Sequence, residues 1–280
     1  MNFSHQRSPS ESSEEYGRGI AGGLLFSIPL LYTVEVWQAG IILAPARIIA
    51  SMAAIFCLLM VYNRYAGLRE DASLAEVAID SVEELGIGLA LASAVLWLTG
   101  RIDGSTPWLE VTGMVVTQAM TVAIGVSVGT AQLGAESQDG GMGDEDRPRG
   151  YVSEVAIAFC GAVLFAANVA PTREIQIIAY GTSPWRLLAL AGASLALVVL
   201  VLHYAGFRGT RGNAAGGSAA NRVRGVITAY AVALVAAAAS LWFFGRMDGQ
   251  PLQAAVAQTA VLGLPAALGA SAGRLLLQSS

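Results

Sequence analysis

The sequence predicts an all-α polytopic membrane protein with eight transmembrane helices, arranged as two parallel four-helix repeats. Hydrophobic residues make up 55% of the 280-residue chain and charged residues only 13%, and the mean hydropathy is +0.58. An ordinary soluble domain carries about 25% charged residues. The few charges lie between long uncharged stretches, and a run of about 18 or more apolar residues can span a bilayer. A lipid bilayer is therefore the first expected partner.

A nine-residue stretch that occurs twice predicts the repeat. Residues 96–104 read LWLTGRIDG, and residues 241–249, at an offset of 145, read LWFFGRMDG. Self-similarity of this kind decides the architecture of a chain. Charged, proline and tyrosine positions match at an offset of 139, and Gln and Gly positions match at an offset of 140. The matched pairs are Thr33 and Thr172, Glu35 and Glu174, Pro45 and Pro184, Arg47 and Arg186, Tyr65 and Tyr204, Gln118 and Gln258, and Gly129 and Gly269.

Eight apolar stretches, each near the ~20 residues that a bilayer requires, predict the spans. They cover about 19–39, 47–66, 77–99, 109–131, 152–172, 185–206, 223–244 and 253–275. A polar tail over residues 1–18 precedes the first repeat, 19–134. An acidic, Gly-rich linker over 135–150 leads to the second repeat, 151–276.

Arginine placement predicts the orientation. Four spans in each half bring both halves in from the same side, so the repeats are expected to be related by an axis along the membrane normal. Eleven of the sixteen arginines lie in the termini and the even-numbered loops, and five lie in the odd-numbered loops. Arginine is enriched on the cytoplasmic side. We therefore expect an inner-membrane protein with both termini in the cytoplasm.

Two matched glutamates are the first candidate site residues. Glu35 ends the apolar run FSIPLLYTVEVW, and Glu174 follows FAANVAPTRE. A carboxylate toward the middle of a span costs about 2.5–3.5 kcal/mol on insertion scales, so it usually has a partner or a task. Pro29 and Pro171 lie shortly before them and are expected to break their helices. Broken helices that offer carbonyls beside a carboxylate can bind cations.

Asn168 and Thr172 would add further oxygen ligands beside these glutamates. The alternative is that both glutamates reach the outer interface and pair there with Arg173, Arg47 or Arg186. The sequence leaves both interpretations open.

The repeated turns place Arg101 and Asp103 in the first half and Arg246 and Asp248 in the second. These charges could line the outer mouth of a pathway. The interpretation that we favour is structural: glycine ends the helix, arginine reaches the headgroups, and Asp-Gly makes the turn.

Charged side chains also begin the third span, and arginines occupy the aligned region of the second half. These charges could form salt bridges between the halves or line a cation vestibule. The interpretation that we prefer is that the acids lie at a solvated helix start, where the helix dipole favours them. These residues are Glu76, Asp80, Glu83, Glu84, Arg222 and Arg224.

Small-residue patterns indicate packing rather than catalysis. Gly125-x-x-x-Gly129 and Gly269-x-x-x-Gly273 permit close helix contact. GASAG at 269–273 fits G-x-S-x-G with Ser271 at its centre, and His203 could lie at similar depth, but the nucleophile elbow needs a strand–turn–helix context. We expect no catalytic residue, no metal site, no cofactor and no nucleic-acid partner.

The order of GLLFSIPLLYTVEVW, ANVAPTREI and the paired GR.DG turns resembles a small family of bacterial integral-membrane proteins without an assigned activity. The resemblance covers most of the chain and implies the multi-span fold but no substrate. VAPTRE is also similar to segments of calcium/cation exchangers, whose repeats, however, are inverted and contain an odd number of spans.

The functional hypothesis is a small cation channel or transporter that uses Glu35 and Glu174. A membrane scaffold or complex subunit is the alternative, and an intramembrane or lipid-directed hydrolase is the third candidate. A homo-oligomer stays open.

Overall fold

The computed structural model describes residues 9–66, 73–133, 151–209 and 219–276, and in these ranges the regular secondary structure is entirely helical. The chain order of their helices is α1 Pro9–Leu31, α2 Val34–Ile42, α3 Pro45–Ala66, α4 Leu74–Leu98, α5 Trp108–Leu133, α6 Tyr151–Val169, α7 Arg173–Gly181, α8 Pro184–Gly209, α9 Ala219–Phe243 and α10 Leu252–Leu276. The linker expected at 135–150 lies outside the described residues.

Seven of these helices are long and apolar enough to cross a membrane, and α1 with α2 forms an eighth candidate span that is bent by 84°. This confirms an all-helical polytopic membrane protein with seven or eight apolar helices. The first predicted span, 19–39, therefore covers parts of two helices rather than one straight helix.

The expected helix breaks are confirmed in both halves. Pro29 lies in the last turn of α1, and the next helix begins after Thr33, whose backbone is extended. The Thr33 hydroxyl donates a 2.6 Å hydrogen bond to the Pro29 carbonyl, which satisfies an acceptor at the helix end. Thr172 takes the same position before α7, and its hydroxyl donates to the Val169 carbonyl at 2.8 Å. Proline and threonine thus build each break.

Both halves have the same order of helices: one long helix, one nine-residue helix and three long helices. Pro45 and Pro184 begin the third helix of each half, at a position where the missing N–H of proline costs nothing. The sequence did not predict α7 as a helix, because residues 173–181 contain too few apolar residues for a span.

Glycines allow close helix crossings, and one such crossing in each half matches the other. Helix α1 crosses α5 where Gly22 meets Gly129, and α6 crosses α10 where Gly161 meets Gly269. A Cβ atom on Gly22 would lie 2.9 Å from the Gly125 carbonyl oxygen and closer still to Gly129. The expectation that the two G-x-x-x-G patterns permit close helix contact is therefore confirmed.

We expect Gly22→Ala to destabilise the fold by about 1–3 kcal/mol, because the added methyl group meets backbone atoms that cannot move aside. Thermal unfolding of the detergent-solubilised protein measures this effect. Gly86→Ala is the matched control, since a Cβ atom at Gly86 has nothing within 4 Å. Equal melting temperatures for the two variants would contradict the tight crossing.

The seam between the halves is formed where α6 packs against α1, α3 and α5. This seam is not symmetric between the two halves. Helix α8, which corresponds to α3, packs against α10 and α9 of its own half. Helix α3 thus packs against α6 of the other half as well as against α4 and α5 of its own. A strict two-fold arrangement of two four-helix repeats is not confirmed.

Candidate functional site

Charges from three elements meet at the end of the bundle where α2, α7 and the turn between α9 and α10 lie. We call Glu35, Arg173, Glu174 and Arg246 the charged rim. The pKa of Arg246 is lowered, mainly because the side chain is partly buried. The charge of Arg173 also lowers this pKa, whereas the charges of Glu35 and Glu174 raise it. Arginine ordinarily titrates far above neutral pH, so Arg246 stays charged. The rim therefore combines two acids with two arginines, and its formal charges cancel.

The two predicted glutamates occupy the same position in their helices. Glu35 lies in the first turn of α2 and is partly buried; Glu174 lies in the first turn of α7 and is exposed. Acids at a helix N-terminus are favoured by the partial positive charge there. Their shared effect on Arg246 places both near one arginine. Their role as cation ligands stays a prediction.

Asn168 joins α6 to α1 beneath this rim. Its Nδ2 donates to the Leu164 carbonyl at 2.6 Å and to the Phe26 carbonyl at 3.1 Å. Its Oδ1 is buried and has no hydrogen-bond partner among the described residues. Of the four predicted ligands, Asn168 therefore offers a buried oxygen without a hydrogen-bond partner among the described residues, and the Thr172 hydroxyl, which donates to Val169, keeps its oxygen lone pairs.

The first GR.DG turn is closed by its own side chains. Gly100 has φ +67°, as the helix-ending role of glycine requires. The Asp103 carboxylate accepts bonds from the Ser105 N–H and hydroxyl at 2.8 and 2.6 Å, and these bonds, with those from Thr106, lower the pKa of Asp103. The Arg101 guanidinium lies 4.5 Å from the centre of the Trp37 ring.

The second GR.DG turn instead binds another helix. Arg47, at the start of α3, donates to both Asp248 oxygens at 2.7 and 2.9 Å and lies 5.2 Å from the centre of the Trp242 ring. The hydrogen bond from Arg47 lowers the pKa of Asp248. Asp248 is 55% exposed, and exposed ion pairs contribute only about 0–1 kcal/mol. The pair therefore mainly fixes the position of the turn against the seam.

A second polar group lies inside the bundle, and we call it the amide cluster: Asn63 on α3, Ser81 and Glu84 on α4, and Ser127 on α5. Asn63 Nδ2 donates to Glu84 Oε2 at 2.8 Å and to Ser81 Oγ at 3.1 Å. The Ser127 hydroxyl donates to Asn63 Oδ1 at 2.8 Å. Asn63, Ser81 and Ser127 are buried, and Glu84 is partly buried. Three helices thus converge on one carboxylate.

The carboxylate lies deep in a membrane-spanning helix. Glu84 is ten residues beyond the start of α4, which at 1.5 Å per residue is about 15 Å along the axis. Glu76, Asp80 and the exposed Glu83 precede Glu84 on α4, and the rest of the helix after Glu84 carries no charge, so Glu84 lies where the charged start of the helix gives way to its apolar part. Asp80 and Glu83 act electrostatically on Glu84, and Glu84 acts on the buried thiol of Cys160 in α6. The cluster therefore faces the seam.

The amide cluster exists only in the first half. At the offsets of the repeat, Asn63, Ser81, Glu84 and Ser127 correspond to Leu202, Val226, Ala229 and Ala267. Ala229 and Ala267 are fully buried, and Leu202 and Val226 pack against the apolar core. The fold is therefore built with apolar side chains at all four positions, so the polar residues are not required for packing.

Sequence reasoning named Glu84 but assigned it to a solvated helix start. That interpretation is confirmed for Glu76, which forms a capping box with Ser73: Ser73 Oγ accepts from the Glu76 N–H, and Glu76 accepts from the Ser73 N–H. It is wrong for Glu84, which points into the bundle. The missed signal was Asn63, an amide inside an apolar run, together with the replacement of Glu84 by Ala229 in the second half.

Salt bridges between the acids of α4 and the arginines of α9, one interpretation of this charged region, stay a prediction. Arg224 lies 4.4 Å from the centre of the Tyr151 ring, in its own half. The Arg222 side chain lies outside the described residues. Ser271 lies within α10 and donates to the Ala267 carbonyl at 2.7 Å, as a helical serine does, and His203 is exposed on α8. In the described ranges, no three His, Cys, Asp or Glu side chains are grouped to hold a metal.

Comparison with known proteins gives one finding. A family model described as "Putative integral membrane protein (DUF2391)" matches residues 15–277, which is most of the chain. No curated protein matches the chain, and no solved structure does.

Proposed function

The chain belongs to the DUF2391 family of integral membrane proteins, and we propose that it moves a small cation across the membrane as a channel or transporter. The observation that carries this proposal is Glu84, a carboxylate that three helices hold inside a membrane-spanning part of the bundle. Ionisable residues inside membranes are rare and mark ion or proton pathways.

The free-energy cost of placing a carboxylate inside a membrane helix is the reason to assign Glu84 a function. A carboxylate near the middle of a membrane helix costs about 2.5–3.5 kcal/mol on insertion scales. Hydrogen bonds from Asn63 offset part of this cost, but an apolar residue would avoid it. The second half shows that apolar residue: Ala229 occupies the matching position and is fully buried. A costly group that the fold does not need supports a functional role.

The proposed architecture has eight spans, with α1 and α2 as one bent span, in two parallel repeats. The matching helix order and the matching glycine crossings support the duplication. Arginine placement supports an inner-membrane protein with both termini in the cytoplasm. In this orientation the charged rim lies at the outer face, and the acidic start of α4 lies at the cytoplasmic face.

The charged rim is the proposed outer mouth. Glu35 and Glu174, with the oxygens of Asn168 and Thr172, would attract the cation. The turn charges Arg101, Asp103, Arg246 and Asp248 would surround the entrance. The two acids offset Arg173 and Arg246, so the charged rim is neutral as a whole; without the acids it would carry two positive charges that repel a cation, and salt screens that repulsion.

We expect the double variant Glu35→Gln and Glu174→Gln to lower cation flux from proteoliposomes several-fold at low ionic strength, and less at high ionic strength. Glu110→Gln is the matched control. Glu110 is also an acid in the first turn of a helix, α5, but it is not among the charges that act on Arg246. Wild-type flux from the double variant would remove both glutamates as ligands. Absence of flux from the wild-type chain, with co-purification of one stoichiometric partner, would favour a scaffold or complex subunit.

A further inference from the structure

We infer that the cation bound at Glu84 is the proton, and that the Asn63 amide hydrogen-bonds to the carboxyl group both when it is ionised and when it is protonated. This inference rests on the proposed function and names its substrate. The argument has three parts: the hydrogen bonds of the ionised state, the rearrangement that accepts a proton, and the poor fit of the cluster to a metal cation.

The observed hydrogen bonds fit the ionised carboxylate. An ionised carboxylate only accepts hydrogen bonds, and an amide has one NH₂ group and one oxygen. Asn63 aims its NH₂ group at Glu84 and at Ser81, and its oxygen accepts from Ser127. The Ser81 hydroxyl donates in turn to the Val77 carbonyl at 2.8 Å. Every group of the amide is therefore used.

A half-turn of the Asn63 amide would fit the protonated state, at the loss of the hydrogen bond from Asn63 Nδ2 to Ser81 Oγ. This terminal torsion has two nearly equivalent minima. A hydronium ion would transfer its proton to Glu84 Oε2: one O–H bond of hydronium breaks, one O–H bond forms at the carboxyl group, water is released, and the charge of the group changes from −1 to zero. The new hydroxyl would donate to Asn63 Oδ1, while Nδ2 would donate to Ser127 Oγ. The cluster thus accepts a proton by exchanging donors and acceptors in place.

A metal cation fits the same cluster poorly. Calcium and magnesium take six or more oxygen ligands. Asn63 presents its NH₂ group to Glu84, and the oxygen of Ser81 already accepts from that group. In the observed orientation of the Asn63 amide, such a metal ion beside Glu84 Oε2 would meet N–H donors. After a half-turn of the amide it would meet the oxygens of Glu84, Asn63 and Ser81, which are fewer than these ions require.

Neighbouring titratable groups connect Glu84 with one end of the bundle. Asp80 and Glu83 on α4 act electrostatically on Glu84, and Cys160 faces it from α6; Asn63 and Ser127 face it from α3 and α5. Asp80 follows Glu76 by one helical turn, so acids step from the start of α4 toward Glu84. Such a series raises the local concentration of protons at the proposed cytoplasmic end.

Infrared difference spectroscopy of the full-length protein tests this inference without any flux assay. We expect a carboxylic-acid C=O band that appears and disappears with pH in the wild type and in Glu83→Gln, but is absent from Glu84→Gln. Asn63→Leu should keep the band and move it to higher frequency, because the acid loses its hydrogen-bond acceptor. A Glu84 band that ignores pH, or that responds to sodium or potassium at fixed pH, would overturn the inference.

The two proposals fail separately. A band that titrates in a protein without flux supports proton binding and contradicts transport. Cation flux from a protein whose Glu84 band does not titrate supports transport and contradicts the proton as its substrate.

Discussion

Glu84→Gln is expected to lower flux from proteoliposomes by about 10²-fold or more, the contribution of a positioned group that transfers protons. Glutamine keeps the shape of glutamate and can still accept from Asn63 Nδ2, so the bundle should keep its packing. It cannot carry the negative charge or bind the proton. The measurement compares initial rates under an imposed pH gradient for wild type and variant at equal protein content.

Glu83→Gln is the control for this experiment. Glu83 precedes Glu84 on the same helix, carries the same charge and is exposed, and it acts on Glu84 only through its field. We expect its flux to stay within a few-fold of wild type. Full flux from Glu84→Gln in a folded protein would contradict the role of Glu84, whereas equal losses in both variants would indicate a general effect of charge on α4.

The class of fold was predictable from sequence because membrane insertion depends on local properties. An apolar run long enough to span is visible in one stretch of chain, as are prolines such as Pro29 and Pro171 that end helices. Helix α7 escaped prediction because a helix of nine residues buries only a few side chains, here Ile175 and Ala179. Local sequence does not distinguish such a helix from a polar loop.

The amide cluster was not predictable for a different reason. Its hydrogen bonds join Asn63 to Glu84, 21 residues later, and to Ser127, 64 residues later. Whether these residues meet depends on how α3, α4 and α5 pack laterally, and hydropathy contains no information about lateral packing. The asymmetric seam has the same origin: α3 and α8 begin with the same Pro-x-Arg pattern but pack against different helices. A repeat in sequence thus predicts matching helices without predicting matching neighbours.

Replacement of three of the four residues of the amide cluster by their second-half counterparts should separate folding from function. The triple variant Asn63→Leu, Glu84→Ala and Ser127→Ala copies Leu202, Ala229 and Ala267 into the first half. Replacing a buried polar network by apolar residues of similar volume often leaves the stability of a protein unchanged or raises it by about 1–4 kcal/mol. The shorter alanine at position 84 offsets part of this gain, because it leaves a cavity. We expect a melting temperature equal to or above that of wild type, together with loss of both flux and the pH-dependent infrared band.

The reverse substitution, Ala229→Glu, is the matched control, because it places a carboxylate at the corresponding depth of α9 without an amide partner: Leu202 stands where Asn63 would be needed. An unpartnered buried polar group costs several times what a partnered one does, so this variant should melt well below wild type and gain no flux. A triple variant that fails to fold would show that the cluster holds α3, α4 and α5 together. In that case the second half, which lacks such a cluster, would have to be held together by the closer packing of α8 against α10. The presence of Glu84 would then be explained by folding, which contradicts its proposed role in transport.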